Sequence, residues 1–370
     1  MSSSTSFYHK LLPALVGLFL IAGCAGQKEM VKSAPTGGGY RIAVLPIDNL
    51  SGGKAPLKEL GLKLAGNVKA AGFDILPDAS LDRFMARHRM RNIGGIDEDL
   101  AKAFAEEEGV KGVLVSSLEY YADSFPPKIS VTSRLVSTGN DPEILWMDSA
   151  ALAGNDAPGI FDTGLIREAA TLSDKAFGQL ARSLSADFAV GFRGEQRGAQ
   201  KIFPPRRFYR KALAADKQFR IVVLPLYNRS GRKYAGEIMA LHFVQELHRL
   251  GNFHVVEPGM VRSKLLQHRL IMEGGVSNAN ADVIFDVLRA NMLLTGKVLD
   301  YQDARGESGI PTVDFSTAIL DRESHMLVLS ADSYNTGDER VHFFDLGRIN
   351  TACGLAMEMV RGIVGQLVPR

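Results

Sequence analysis

Two short polar loops are the places where this chain could do chemistry. Asn49-Leu50-Ser51-Gly52-Gly53-Lys54 follows an apolar run and precedes a helical stripe, and Asn228-Arg229-Ser230-Gly231-Arg232-Lys233 repeats that setting. Backbone amides in such a strand-to-helix loop can hold a phosphate. A P-loop requires Gly, four residues, then Gly-Lys-Ser/Thr. Here Asp48 stands at the first glycine position and Ala55 at the hydroxyl position, and the second loop fails as well. The residues favour an Asn that closes a turn on its own backbone while Ser or Gly starts the helix. Asn49, Ser51, Gly52, Asn228, Ser230 and Gly231 are therefore candidate contacts for a partner, not for catalysis.

Other reactive residues give weaker signals. His242 and His248 are six apart, which does not place them on one helix face as a zinc pair, and no H-E-x-x-H occurs. His88 and His268 occupy equivalent positions of a repeat and are the sole motive for a hydrolase reading. Their Arg neighbours disfavour a metal, and a packed or capping imidazole is the simpler expectation. Ser308 lacks the second glycine of a nucleophile elbow. No carboxylate pair suggests glycan hydrolysis. Cys353, in Thr351-Ala352-Cys353-Gly354, reads as a buried, inert helix cysteine. No catalytic residue, cofactor or metal site is expected.

The elements that position these residues come as a duplication. Residues 41–52 return at 220–231 with eight of twelve positions identical. Phe73 pairs with Phe253, His88-Arg89 with His268-Arg269, Gly94-Gly95 with Gly274-Gly275, and Tyr121 with Tyr301. Phe161-Asp162-Thr163-Gly164 returns as Phe344-Asp345-Leu346-Gly347, where Asp162 and Asp345 would cap the last helix.

Each copy opens with an apolar strand, 41–48 or 220–227, followed by a stripe such as Leu57, Leu60, Leu64 and Val68. A strand expected at 129–135 alternates Ile129, Val131 and Leu135 with Ser130, Thr132 and Arg134, the period of a half-exposed antiparallel strand. A long helix over 163–185 or 346–367 closes the copy. The expected class is α/β (α+β): two tandem mixed sheets packed by helices, in the order β-α-β-α-α-β-β-β-α, each around its own core.

At the start of the chain, His9-Lys10 precedes an apolar run to Ala22 and then Gly23-Cys24. A basic start, a short apolar centre and small residues before a cut define a signal peptide, and the run is too short for a permanent membrane span. Ile21-Ala22-Gly23-Cys24 resembles the bacterial lipobox, which implies lipidation of Cys24 and cleavage before it. Ala25 resembles lipoproteins sorted to the outer membrane. Expected boundaries are a signal peptide at 1–23, a flexible tether at 24–39 reaching roughly 20 Å, repeats at 40–190 and 219–370, and a basic linker at 191–218. That linker, with Arg193, Arg197, Lys201, Arg206 and Arg207, offers an anionic surface a contact or is simply solvated.

The 370 residues, 46% apolar and 23% charged, suit two globular domains. The net charge of +2 argues against a nucleic-acid binder. With Cys24 lipidated, Cys353 has no disulfide partner.

The phrase R-I-x-V-L-P-x-x-N-x-S-G opening a β-α-β module on a secreted chain resembles one superfamily. It holds the TolB amino-terminal domain, the CsgG-type curli secretion lipoproteins and the lipoprotein activators of penicillin-binding proteins. The resemblance implies a non-enzymatic, outer-membrane-anchored periplasmic protein that binds or scaffolds envelope proteins. The alternative it implies is a subunit of a homo-oligomeric, curli-type secretion channel. The charge and proline in Asp123-Ser124-Phe125-Pro126-Pro127 disfavour the long amphipathic hairpins a pore needs.

Overall fold

The first copy runs β1 (Arg41–Val44), β2 (Asp48–Asn49), α1 (Leu57–Ala70), β3 (Asp74–Ile75), α2 (Asp78–Arg87), α3 (Glu98–Glu108), β4 (Gly112–Ala122), β5 (Lys128–Ser137), β6 (Ile144–Ala153) and α4 (Ala169–Ala189). The computed structural model describes residues 39–157, 164–192, 203–211, 213, 214, 217–270, 275–303, 306, 309–339 and 347–367. Cys24, the signal segment, nearly all of the tether, Ser308, Asp162 and Asp345 lie outside the described residues.

The segment expected as linker contains β7 (Arg207–Arg210). The second copy then repeats the order as β8 (Phe219–Val223), β9 (Tyr227–Asn228), α5 (Ala235–Arg249), β10 (Phe253–Val255), α6 (Pro258–Gln267), α7 (Asn278–Val287), β11 (Met292–Gln302), β12 (Thr312–Asp321), β13 (Leu327–Thr336) and α8 (Ala352–Val364).

The copies match strand for strand. The first sheet is ordered β3-β1-β4-β5-β6 and the second β10-β8-β11-β12-β13-β7, with β2 and β9 paired to β4 and β11. β1 pairs parallel to β3 and β4, and β8 to β10 and β11. The long strands are antiparallel in both, and even a bulge recurs, leaving Glu119 unpaired in β4 and Leu299 in β11. The expected mixed α/β class and element order hold, with the two-residue strands β2 and β9 added.

Local physics accounts for most elements. On α1, Leu60, Leu64 and Val68 recur every four residues and are buried against the sheet and α4. Each contributes roughly 1.5–3 kcal/mol through burial. Asp97 caps α3 by accepting from the Leu100 amide at 3.0 Å. Gly109 ends that helix at φ 62°, where a Cβ would be strained.

The closing helices begin later than the Phe-Asp motif suggests. α4 starts at Ala169, and Thr351 caps α8 by accepting from the Gly354 amide at 3.1 Å. The positions preceding the two helices are held by Glu168 and Thr351. Likewise Ser51 and Gly231 start no helix, because α1 and α5 begin after Pro56 and Tyr234.

The expectation of separate cores is corrected. Two clusters belong to the first copy, one beneath α1 and α4 and one beneath α2 and α3, and one cluster lies beneath α6 and α7 of the second. The largest core is shared: Leu50, Ile144 and Met147 of the first copy pack with α5, α8 and the second sheet. Residues Ala34–Arg370 form one compact unit. Helix α5 is buried at every position from Ile238 to Leu247, because it lies between its own sheet and β6 of the other copy.

The same packing overturns the half-exposed reading of β5. Ser130, Thr132 and Arg134 are buried under the second copy. A polar strand face suits water or a second polar protein surface equally, and here the second copy takes that place. Cys353 is buried on α8, as its helix setting implies.

Candidate functional site

The two polar loops share one Asn-centred turn and differ at its tip, where Gly52 takes φ 71° and Gly231 stays outside the left-handed region. Asn49 Oδ1 accepts from the Ser51 amide at 3.0 Å and the Ser51 hydroxyl at 2.6 Å, and Asn49 Nδ2 donates to the Gly53 carbonyl at 2.9 Å. Asn228, Ser230 and Arg232 reproduce this at 3.0, 2.7 and 2.7 Å. The Asn side chain thus closes a turn on its own backbone. Gly52, Gly53 and Gly231 remain exposed at the tips.

The fold brings these loops together. Arg232 donates through Nη1 to the Leu50 carbonyl at 3.2 Å and through Nη2 to the Glu119 carbonyl at 2.5 Å. Its Nε pairs with Asp303 at 2.6 Å, both side chains being largely buried. A Cβ on Gly52 would stand 3.2 Å from Arg232 Nη1. One loop therefore reads the backbone of the other.

Beside the loops lies a second tie. Arg134 on β5 meets Glu257 at 2.6 Å, and Arg134 Nη2 also donates to the Gly94 carbonyl at 2.7 Å. Glu257 caps α6, accepting from the amides of Gly259 and Met260. Burial pushes its carboxyl pKa upward, with Arg134 and the two amides pulling it back. The backbones touch at Gly95 and Gly259: a Cβ on Gly259 would lie 2.4 Å from the Ile96 amide nitrogen. Further polar pairs line the seam, among them Arg249–Asp148 at 2.5 Å and Asn350–Asp156 at 2.9 Å.

Between these ties opens a cleft of about 580 Å³ lined by both copies. Leu241, Val244, Leu265 and Leu270 give it an apolar side, and Leu266 stands 67% exposed at its rim. Asp48, Asn49, Asn92 and Arg262 supply polar groups. Burial raises the Asp48 carboxyl pKa, and Arg134 and Arg262 offset part of that rise. A concave site with a few convergent polar groups on an apolar wall is suited to binding a ligand or a segment of a partner.

The histidines are dispersed. His88 and His268 end α2 and α6 at equivalent C-cap positions. His88 packs its ring 4.3 Å from that of Phe84, tilted by 33°, and meets Glu107 at 2.8 Å. His248 sits at the seam, where desolvation and Arg249 depress its pKa to about 4 despite a hydrogen bond to the Leu145 backbone. His242 is wholly buried on α5.

Sequence reasoning passed over Arg134, Glu257 and Arg232. A signal existed in the differences between copies. By register, Arg134 corresponds to Ala318 of β12, and the Glu257 cap corresponds to Pro77 before α2. Charge present in one copy and missing in the other marks the surface where the copies meet.

No protein-family model matches the chain, and no curated protein matches it in sequence. Several solved structures are similar over part of it. A PelC dodecamer from Paraburkholderia phytofirmans is 14% identical and covers 44% of this chain and 97% of that one, with a TM-score of 0.30. The lipoprotein GNA1162 from Neisseria meningitidis is 21% identical over 39% of this chain and 99% of its own, with a TM-score of 0.29. The LpoB C-terminal domain from Salmonella enterica is 20% identical over 31% and 82%, with a TM-score of 0.26.

Proposed function

We propose that this protein is a non-catalytic lipoprotein, held through Cys24 on the periplasmic face of the outer membrane, whose joined repeats bind or scaffold other envelope proteins. The TolB- and CsgG-like reading of the repeated strand-and-loop phrase belongs to the same proposal. The observation that carries it is the cleft between the copies. Its apolar wall, polar rim and exposed Leu266 offer a partner an anchoring pocket beside the paired loops. Because the Asn and Ser side chains are engaged within their own turns, contacts at 49–53 and 228–232 fall to exposed backbone at the loop tips.

Photo-crosslinking residues placed at Leu266 and Gly52 in intact cells test this reading. Discrete protein adducts at both sites, lost in Leu266→Asp with unchanged unfolding, support it. Adducts that survive the substitution would remove the cleft from the proposal. Labelling with a fatty-acid analogue, abolished by Cys24→Ala, tests the anchor.

The channel alternative draws on no comparable feature. Strands β4–β6 and β11–β13 have the length of a membrane strand, but helices cover the sheets they form. Native mass measurement of detergent-extracted protein separates the two, since a ring supports the channel and a monomer the scaffold.

A further inference from the structure

The bulge in β4 places a carboxylate where the sheet of the first copy meets two helices of the second. An oxygen of Glu119, a ring nitrogen of His242 on α5 and the sulfur of Cys353 on α8 lie within 4.8 Å of one another, and all three residues are wholly buried. Neither nitrogen of His242 has a hydrogen-bond partner, and Glu119 Oε2 has none. A buried polar group with no partner costs about 1–3 kcal/mol. Two such groups converging on one thiol are not what packing alone selects.

We propose that Glu119, His242 and Cys353 form a zinc site that rivets helices α5 and α8 of the second repeat to the sheet of the first. Imidazole nitrogen, thiolate sulfur and carboxylate oxygen are the donors zinc takes, and a sulfur ligand disfavours magnesium and calcium. A thiolate and a carboxylate cancel the charge of a divalent ion, so the filled site is neutral where the surroundings are dry.

Both anionic ligands already have orienting neighbours. Thr132 Oγ1 donates to Glu119 Oε1 at 2.6 Å, and the Tyr301 hydroxyl donates to Cys353 Sγ at 3.1 Å. Ser130, buried and within hydrogen-bond reach of the thiol, offers a hydroxyl beside the three ligands. Bulges commonly re-aim a side chain beside a site. In the second copy the equivalent bulge carries Leu299, 46% exposed, so that position supplies no carboxylate.

The test is made on the full chain, refolded with zinc because the site is closed in the folded protein, then freed of loose metal by gel filtration. Elemental analysis should give about one zinc per chain, against less than a tenth of that in Cys353→Ser and in His242→Leu. Cys24 is common to all three proteins and drops out of the comparison. Cobalt in place of zinc should give a thiolate-to-cobalt charge-transfer band in the wild type alone. With free zinc at 100 times its dissociation constant, the apparent unfolding equilibrium constant should fall about 100-fold. His242→Leu removes an unpartnered imidazole from an apolar setting, so it should fold without metal and serve as the folded control. Wild type that retains no more zinc than the variants and shows no cobalt band overturns the proposal.

Discussion

Arg134 and Glu257 meet at 2.6 Å with at most 1% of either side chain exposed, one on a strand of the first repeat and the other capping a helix of the second. Removing one partner leaves a charge stranded away from water. Arg134→Ala and Glu257→Ala should each destabilise by about 3–5 kcal/mol. The double change Arg134→Met with Glu257→Leu should recover most of that loss, because two charges vanish together. Urea unfolding of the three variants checks this, and a double variant no better than the singles would contradict the argument.

Gly95 and Gly259 let the two backbones touch, and Gly259→Ala would force its Cβ to within 2.4 Å of the Ile96 nitrogen unless the copies part. The wild type should unfold in one transition, since the largest core draws on both copies. Gly259→Ala should loosen the seam and broaden or split that transition. The comparison of fluorescence with circular dichroism melts reads it directly. Coincident, unshifted curves for wild type and variant would count against a rigid junction.

His248 gives a pH dependence with a definite sign. Its folded pKa of about 4 lies below the ordinary value of about 6.5. The unfolded chain therefore binds the proton first as pH falls. Stability should drop between pH 6.5 and 4 and lose nothing further from this group below that. About 2 kcal/mol of the acid-side loss should disappear in His248→Phe, allowing for partial exposure of the ring. Denaturant midpoints at pH 7 and pH 4.5 for both proteins supply the measurement.

Arg232 joins the two loops, and Arg232→Met should cost about 2–4 kcal/mol by leaving Asp303 and the Leu50 and Glu119 carbonyls without their donor. The equivalent position in the first loop is Gly53, exposed and open, so Gly53→Ala should change stability by less than about 0.5 kcal/mol. Equal effects at the two positions, measured by thermal unfolding, would mean that the loops do not depend on each other.

Much of the fold was legible because each copy could be read against the other. Strand 41–44 and strand 219–223 carry the same apolar phrase and take the same parallel neighbours. The Asn turns were legible too, since Asn and Ser two residues apart have few other ways to use their side chains. The junction was not. Ser130, Thr132 and Arg134 alternate with apolar residues as a wetted strand would, and periodicity does not distinguish water from another protein surface. Glu119, in the run Val115-Ser116-Ser117-Leu118-Glu119, looks like a strand end, and only the bulge reveals where it points. The helix starts at Ala169 and Ala352 were missed for a simpler reason. The repeated Phe-Asp phrase marked a recurring segment but not its conformation.

The strand Arg207–Arg210 has a practical bearing on how the molecule can be cut. It lies antiparallel to β13 and closes that side of the second sheet, and Phe203 just before it is buried against Gly362. A fragment begun at 219 would bare the backbone of β13 from Val328 to Asp332 and invite sheet-to-sheet sticking. Recombinant versions of the C-terminal half should begin before Phe203, with the arm left attached as its selvage.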